Sequence, residues 1–301
     1  MKQVILLVFM SLLFACASAP VDQIATQSRT TTRTGNDGAA VATALNARYA
    51  QTSSNCFNSE TAPVFLCRGI IIRATVYGDS YNVWDPSPVN ISNGFVAFSY
   101  MSTDSRFPAL YNRANNGFIV KPISQLTAGQ LKYKAVCFYV IDGATDMRAD
   151  GGCGQHAYHG AISRYCSLQG ITTADQFIAH YMANTPVREQ KQCSWDVRDN
   201  SPYQTAALFR QALAAMPRIP KNGRNDENEL VVAVWTRQPA ANMPIEAFFY
   251  TDAAGLIQAK KNQSSYYTQA NSKIVPIIKL TINATNWAAS FSYNPADQNY
   301  L

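Results

Sequence analysis

The chain has 301 residues, of which 47% are hydrophobic and 15% charged, and its formal net charge is +6. This length is ample for one sizeable hydrophobic core. The 25 Lys and Arg residues are scattered rather than clustered, so nothing in the sequence indicates nucleic-acid binding. No segment approaches the ~20 apolar residues of a transmembrane helix, so we expect no membrane span.

The first 19 residues have the pattern of a cleavable signal peptide. Lys2 precedes an apolar run over residues 4–14, and Ala17-Ser18-Ala19 then supplies the small-x-small cleavage site. We therefore expect a secreted or periplasmic mature protein that begins after Ala19. Cys16 leaves a lipoprotein signal open as an alternative.

The cysteine count agrees with export. Seven Cys are present, and six remain once Cys16 is set aside. An even number in an oxidising compartment predicts three disulfides. The sequence does not decide the pairing, and we favour the short loops Cys56–Cys67, Cys153–Cys166 and Cys137–Cys193. A metal site at Cys153, His156 and His159 is the alternative, but structural zinc takes four ligands at paired spacings, so we expect no metal.

The first half of the chain is mainly strand by pattern. Polar residues 20–37 predict a flexible mature N-terminus. Apolar residues at Val41, Leu45 and Tyr49 have helical spacing, which predicts a helix over 38–49. Four strands are predicted next, at 69–76, 94–101, 117–120 and 134–141. Two prolines in 84–88 predict a loop between the first two strands.

The second half combines helices and strands. Residues 142–171 are rich in Asp, Gly and Cys and predict a disulfide-held loop region. Thr173 and Gln176 form a capping-box pattern that starts a helix over 173–183, and a second helix is predicted at 203–215. The C-terminal third is predicted to be all strand, at 230–235, 245–250, 274–282 and 288–293. We therefore expect an α+β fold in which 38–301 is one catalytic domain with an insertion at about 142–225.

Common catalytic signatures such as G-x-G-x-x-G, the P-loop, H-E-x-x-H and G-x-S-x-G are absent from the sequence. Three polar features on predicted strands remain. Arg73 interrupts an apolar strand, where it either faces solvent or offers a planar donor fork to a phosphate. Ser99 is either a small strand residue or a ligand contact. Glu227 and Glu229 lie on one side of a strand entrance, or else form a solvated acidic turn.

Arg, Ser and Glu-x-Glu in this chain order resemble the Arg–Ser–Glu pattern of mono-ADP-ribosyltransferase folds. The resemblance implies a split mixed β-sheet core with a disulfide-rich helical insertion. It also implies that Arg73 holds the phosphates of NAD and Ser99 supports the nicotinamide ribose site. Glu229 would stabilise the oxocarbenium-like transition state as nicotinamide leaves, and Glu227 would orient a nucleophile.

Several sequence blocks are also similar to the halovibrin family of secreted bacterial NAD-consuming enzymes. The blocks are WDPSP (84–88), GFVAFSY (94–100), NGFI (116–119), CFYVIDGATDMRADGGCG (137–154), GITTADQFIAHY (170–181), QCSWDVRD (192–199), ENELVVAVW (227–235) and PIEAFFY (244–250). This resemblance implies an NAD glycohydrolase that takes NAD as substrate and needs no cofactor.

Three points stay open beside that expectation. A mono-ADP-ribosyltransferase toxin would use a protein acceptor, and either activity would suit an immunity protein as partner. A disulfide-stabilised binding protein without catalysis is the alternative of another class. Trp84 and Tyr100 would stack on nicotinamide or adenine, with packing in the hydrophobic core as their alternative role.

Overall fold

In a computed structural model, the described residues are 37–51, 56, 59, 61–75, 83–105, 110, 114–143, 153, 165–184, 192–198, 201, 203–220 and 227–299. The expected signal peptide and residues 20–36 of the expected flexible N-terminus lie outside these ranges, as do His156 and His159.

These residues form helices and strands that are numbered here in chain order. The α-helices are α1 (Gly38–Ala50), α2 (Pro88–Asn93), α3 (Ala174–Ala183), α4 (Thr205–Ala215) and α5 (Ala253–Gln269). The strands are β1 (Ile70–Ala74), β2 (Phe95–Met101), β3 (Asn116–Val120), β4 (Ala135–Tyr139), β5 (Trp195–Asp196), β6 (Glu229–Ala233), β7 (Ile245–Tyr250), β8 (Ile277–Ile282) and β9 (Ala289–Tyr293).

The strands form one mixed sheet in the order β5-β4-β6-β2-β1-β3-β7-β8-β9. Strands β7 and β8 are parallel and are joined by the crossover helix α5, whereas the other described pairs are antiparallel. Strand β2 is called the junction of the sheet because it connects two groups of strands. It pairs with β6, which leads to β4 and β5, and with β1, which leads to β3, β7, β8 and β9. The expectation of an α+β fold with a mixed sheet is therefore confirmed.

The two faces of the sheet are covered differently. Helices α3, α4 and α5 pack on one face, here called the helical face, where Phe98, Phe118 and Leu230 point into the largest core cluster. Helix α1 packs on the opposite face, here called the α1 face, against β1, β8 and β9. A smaller cluster lies on the same α1 face at β2, β4 and β6, and consists of Phe95, Cys137, Tyr139, Cys153 and Val231.

The six described cysteines form three disulfides, and one of the three expected pairings is confirmed. Cys56 pairs with Cys67 at a Cα–Cα distance of 6.0 Å. The other two pairings were wrong, because the bridges are Cys137–Cys153 and Cys166–Cys193, with Cα–Cα distances of 5.8 and 4.9 Å.

Strand pairing explains the correction. Cys137 lies opposite Asp196 in the β4–β5 pair. Cys193 is three residues before Asp196, which is about 10 Å along an extended chain and beyond the span of a disulfide. Cys193 instead lies beside Cys166, whose backbone N–H donates to the Ser194 carbonyl at 2.8 Å.

Helices α1, α3 and α4 agree with expectation, and the Thr173–Gln176 capping box is present. The expectation of an all-strand C-terminal third was wrong, because α5 occupies 17 of its residues. Its buried stripe is Gly255, Ala259, Gln263 and Tyr266, so the stripe contains one large apolar side chain and gives a weak periodic signal. None of the helices in the described ranges is long and apolar enough to cross a membrane.

Candidate functional site

Ser99 and Glu229 are neighbours across the junction between β2 and β6. Phe98 pairs with Leu230 in this antiparallel register, and one residue further the Ser99 hydroxyl donates to the Asn228 carbonyl at 3.0 Å, which brings Ser99 beside the backbone of Glu229. Side chains alternate between faces along a strand, and Phe98 and Leu230 both belong to the helical face. Ser99 and Glu229 therefore share the α1 face, next to Ile72 of β1.

Both carboxylates of the Glu-x-Glu motif are buried. Glu227 is 3% exposed and Glu229 is 4% exposed. The alternative of a solvated acidic turn is therefore wrong. Burial of a carboxylate is unfavourable unless hydrogen bonds compensate it, and Glu229 Oε2 accepts the Gly143 backbone N–H at 3.0 Å. Acidic side chains are rarely fully buried in a hydrophobic core, so two buried carboxylates at one strand entrance mark a candidate functional site.

The segment that follows β4 supplies backbone contacts to both glutamates. The Asp142 N–H donates to the Glu227 carbonyl at 2.7 Å, directly before the bond from Gly143 to Glu229. Gln192 supports this segment, since its Nε2 donates to the Ile141 carbonyl at 2.8 Å. A methyl group at Gly143 would lie 3.1 Å from the Tyr139 ring, so glycine lets the segment pass close to that ring.

Asn228 fixes the motif to β2. Its Oδ1 accepts the Tyr100 N–H at 2.8 Å, and its Nδ2 donates to the Tyr100 carbonyl at 2.8 Å. The Ser99 hydroxyl donates to the Asn228 carbonyl at 3.0 Å. Asn228 and Gly143 were not among the site residues predicted from the sequence. The available signal was an amide between two acids at a strand entrance, which alone does not distinguish a turn from a strand.

Arg73 does not join Ser99 and Glu229. It follows Ile72 in β1 and pairs with Phe118 of β3, so its side chain lies on the helical face. Its guanidinium lies 5.9 Å from the centroid of the Phe98 ring and donates to the Ala97 carbonyl at 2.6 Å. A second bond reaches Asn90 Oδ1 of α2 at 3.3 Å. These contacts tie β1 to β2 and α2 on the face opposite Glu229.

Trp84 and Tyr100 are both in the core of the helical face. The Trp84 ring packs against Tyr266 and Phe248, with centroid distances of 5.1 and 6.1 Å. Tyr100 packs edge-on against Phe209 at 5.1 Å. Burial, followed by the nearby Asp104 charge, raises the pKa of Tyr100 well above its usual range. The contacts of both rings favour the core role that was their alternative.

Within the described ranges, no group of three His, Cys, Asp or Glu side chains could hold a metal ion. Comparison with known proteins adds no assignment, because no protein-family model matches the chain and no curated protein matches it significantly. The chemistry at Ser99, Asn228, Glu227 and Glu229 therefore carries the functional argument.

Proposed function

We propose that this protein is a secreted NAD glycohydrolase with Glu229 as the catalytic carboxylate. The observation that carries the proposal is the buried Glu229, held by a backbone donor and adjacent to Ser99 at the junction of a mixed sheet. The chain order of Ser99 and Glu229 on neighbouring strands supports a core of the ADP-ribosyltransferase type. The three disulfides support export.

In the proposed reaction the bond between the nicotinamide nitrogen and the ribose anomeric carbon breaks. The bonding electron pair leaves with nicotinamide, which becomes neutral, and positive charge develops on the ribose ring. A fixed Glu229 carboxylate would stabilise that charge because it is already oriented and largely removed from water. Water then adds to the anomeric carbon, and its proton is released, so the products are ADP-ribose, nicotinamide and a proton.

Glu227 favours a second candidate activity of the same class. It is as deeply buried as Glu229 and lies two residues before it. A second carboxylate two residues from Glu229 would accept a proton from an attacking nucleophile, whether water or a protein side chain. Mono-ADP-ribosylation of a protein acceptor is therefore the alternative outcome of the same bond cleavage.

One assay distinguishes the candidates. Purified, oxidised protein is incubated with NAD alone and with NAD plus a protein mixture, and nicotinamide release is measured. Release with NAD alone supports hydrolysis, whereas release that requires the protein mixture, with label transferred from NAD to protein, supports ADP-ribosyl transfer. No release under either condition contradicts both enzymatic proposals and favours a binding protein.

A further inference from the structure

Asn228 replaces a backbone pair in the β2–β6 ladder with its side chain. Continuing the register by two residues from Phe98 and Leu230 brings Tyr100 opposite Asn228. In a regular antiparallel ladder, backbone groups bond directly to backbone groups. Here the Asn228 amide satisfies both the N–H and the carbonyl of Tyr100, each at 2.8 Å. The Asn228 carbonyl is likewise reached by a side chain, the Ser99 hydroxyl.

Side chains that bridge two backbones hold them further apart than direct N–H···O bonds. The 227–229 segment therefore diverges from β2 just where the two carboxylates occur. On its other side the segment keeps contact with the chain after β4, through the bond from Asp142 to Glu227 and the Tyr139–Glu229 pair. Asn228 thus sets how far β6 separates from β2 beside Ser99.

We propose that Asn228 is the positioning residue of Glu229. This inference deepens the proposed NAD cleavage and rests on it. Asn228 is 1% exposed, so its amide contacts the protein rather than a substrate. It acts through the backbone of Glu229 by fixing that strand against Tyr100. Because misplacing a catalytic group by about 1 Å costs on the order of 10² in rate, a small shift of this segment is enough to impair turnover.

The two hydrogen bonds between the Asn228 amide and the Tyr100 backbone are called the clamp. Two substitutions disturb the clamp in different ways. Asn228→Asp keeps the size but replaces the Nδ2 donor with an oxygen that faces the Tyr100 carbonyl. Asn228→Gln keeps both hydrogen-bonding groups but lengthens the arm by one methylene. The matched control is Asn116→Asp, since Asn116 is a second buried amide, 3% exposed, on β3. Its Oδ1 accepts the Thr75 hydroxyl at 3.0 Å, away from the carboxylates.

The experiment measures kcat and KM for NAD in the wild-type protein and in the Asn228→Asp, Asn228→Gln and Asn116→Asp variants. Each protein is assayed at a temperature well below its own Tm. We expect kcat to fall roughly 10- to 100-fold in both Asn228 variants while KM changes less than about threefold. Asn116→Asp should lower Tm and leave kcat within about twofold. If Asn228→Asp fails to fold, Asn228→Gln alone decides the result.

The failures can be told apart. Wild-type kcat in a folded Asn228 variant, or an equal loss in Asn116→Asp, overturns the positioning role while NAD cleavage stands. A wild-type protein that releases no nicotinamide overturns the proposed function and, with it, this inference. As a further requirement, adding Asn228→Asp to Glu229→Gln should cause less than about a twofold additional loss, because the group being positioned is already disabled.

Discussion

Replacing Glu229 by Gln should nearly abolish NAD cleavage while preserving the fold. Gln has almost the same size as Glu, and its single amide oxygen can still accept a hydrogen bond from the Gly143 N–H, which is 3.0 Å from Glu229 Oε2. What the substitution removes is the negative charge. Positive charge develops on the ribose ring only as the glycosidic bond breaks, so loss of the carboxylate should act on the transition state more than on bound substrate.

The expected magnitudes differ sharply between stability and rate. A hydrogen bond to a charged group contributes ~1.5–3 kcal/mol and a neutral one ~0.5–1.5, so weakening this bond costs about 1 kcal/mol. Removing a buried charge offsets part of that cost, and Tm should move by no more than ~2–4 °C. Loss of one preorganised electrostatic group costs ~3–4 kcal/mol in the barrier, which lowers kcat by about 10²–10³.

The assay is steady-state release of nicotinamide at saturating NAD, with Tm measured on the same preparation. Glu227→Gln is the matched control, because Glu227 is equally buried in the same motif. It should lose less activity when water is the acceptor. If Glu229→Gln cleaves NAD at the wild-type rate and Glu227→Gln does not, the wrong carboxylate has been assigned. If both variants retain full activity, the carboxylate mechanism is refuted.

Three further predictions concern stability and binding. Arg48 and Glu246 form a buried bidentate pair at 2.9 and 2.5 Å, so Glu246→Gln should cost ~3–5 kcal/mol in chemical denaturation, and Arg48→Met with Glu246→Leu should recover most of it. Burial raises the pKa of Tyr266 to about 12; the free energy of unfolding should therefore fall above pH ~10, by up to ~1.4 kcal/mol per pH unit, and Tyr266→Phe should weaken that fall in alkaline denaturation. Arg73→Lys should lower Tm through its lost bonds to β2 and α2, while KM for NAD changes less than about twofold.

Eight of the nine described strands and helices α1, α3 and α4 were predicted from local sequence patterns, whereas the short strand β5 and helix α2 were not. The capping box at Thr173 and Gln176 forms as expected. Helix α5 was not predicted from the sequence, because its buried stripe includes the small residues Gly255 and Ala259. A methyl group at Gly255 would overlap the Asn115 carbonyl, so the helix lies too close to the chain there for a large side chain. Hydrophobic periodicity does not detect packing of that kind.

The candidate site followed only in part. The sequence showed the order of Ser99 and the Glu-x-Glu motif along the chain. The register of β2 with β6 in the structure brings them together. The clamp by Asn228 required knowing which backbone lies opposite, which is a long-range fact. The disulfide pairing needed the same kind of information, because Cys137 and Cys193 are separated by the register of β4 with β5.

The face occupied by Arg73 could not be inferred, because the residues before it are uniformly apolar. Ile70, Ile71 and Ile72 are all buried, so β1 shows no alternation that would assign one face to Arg73. In the structure Ile70 and Ile72 pack on the α1 face, which fixes Arg73 on the other.

This assignment constrains any NAD complex. The paired strands β1 and β2 lie between the Arg73 side chain on the helical face and the Glu229 side chain on the α1 face, so we expect that one bound NAD molecule would not contact both. A tenfold rise in KM for Arg73→Lys, with Tm unchanged, would require β1 to slip by one residue. That slip would also move Ile70 and Ile72 out of the hydrophobic cluster on the α1 face. Because that slip would expose two fully buried side chains, we expect residues of the α1 face, and not Arg73, to bind the phosphates of NAD.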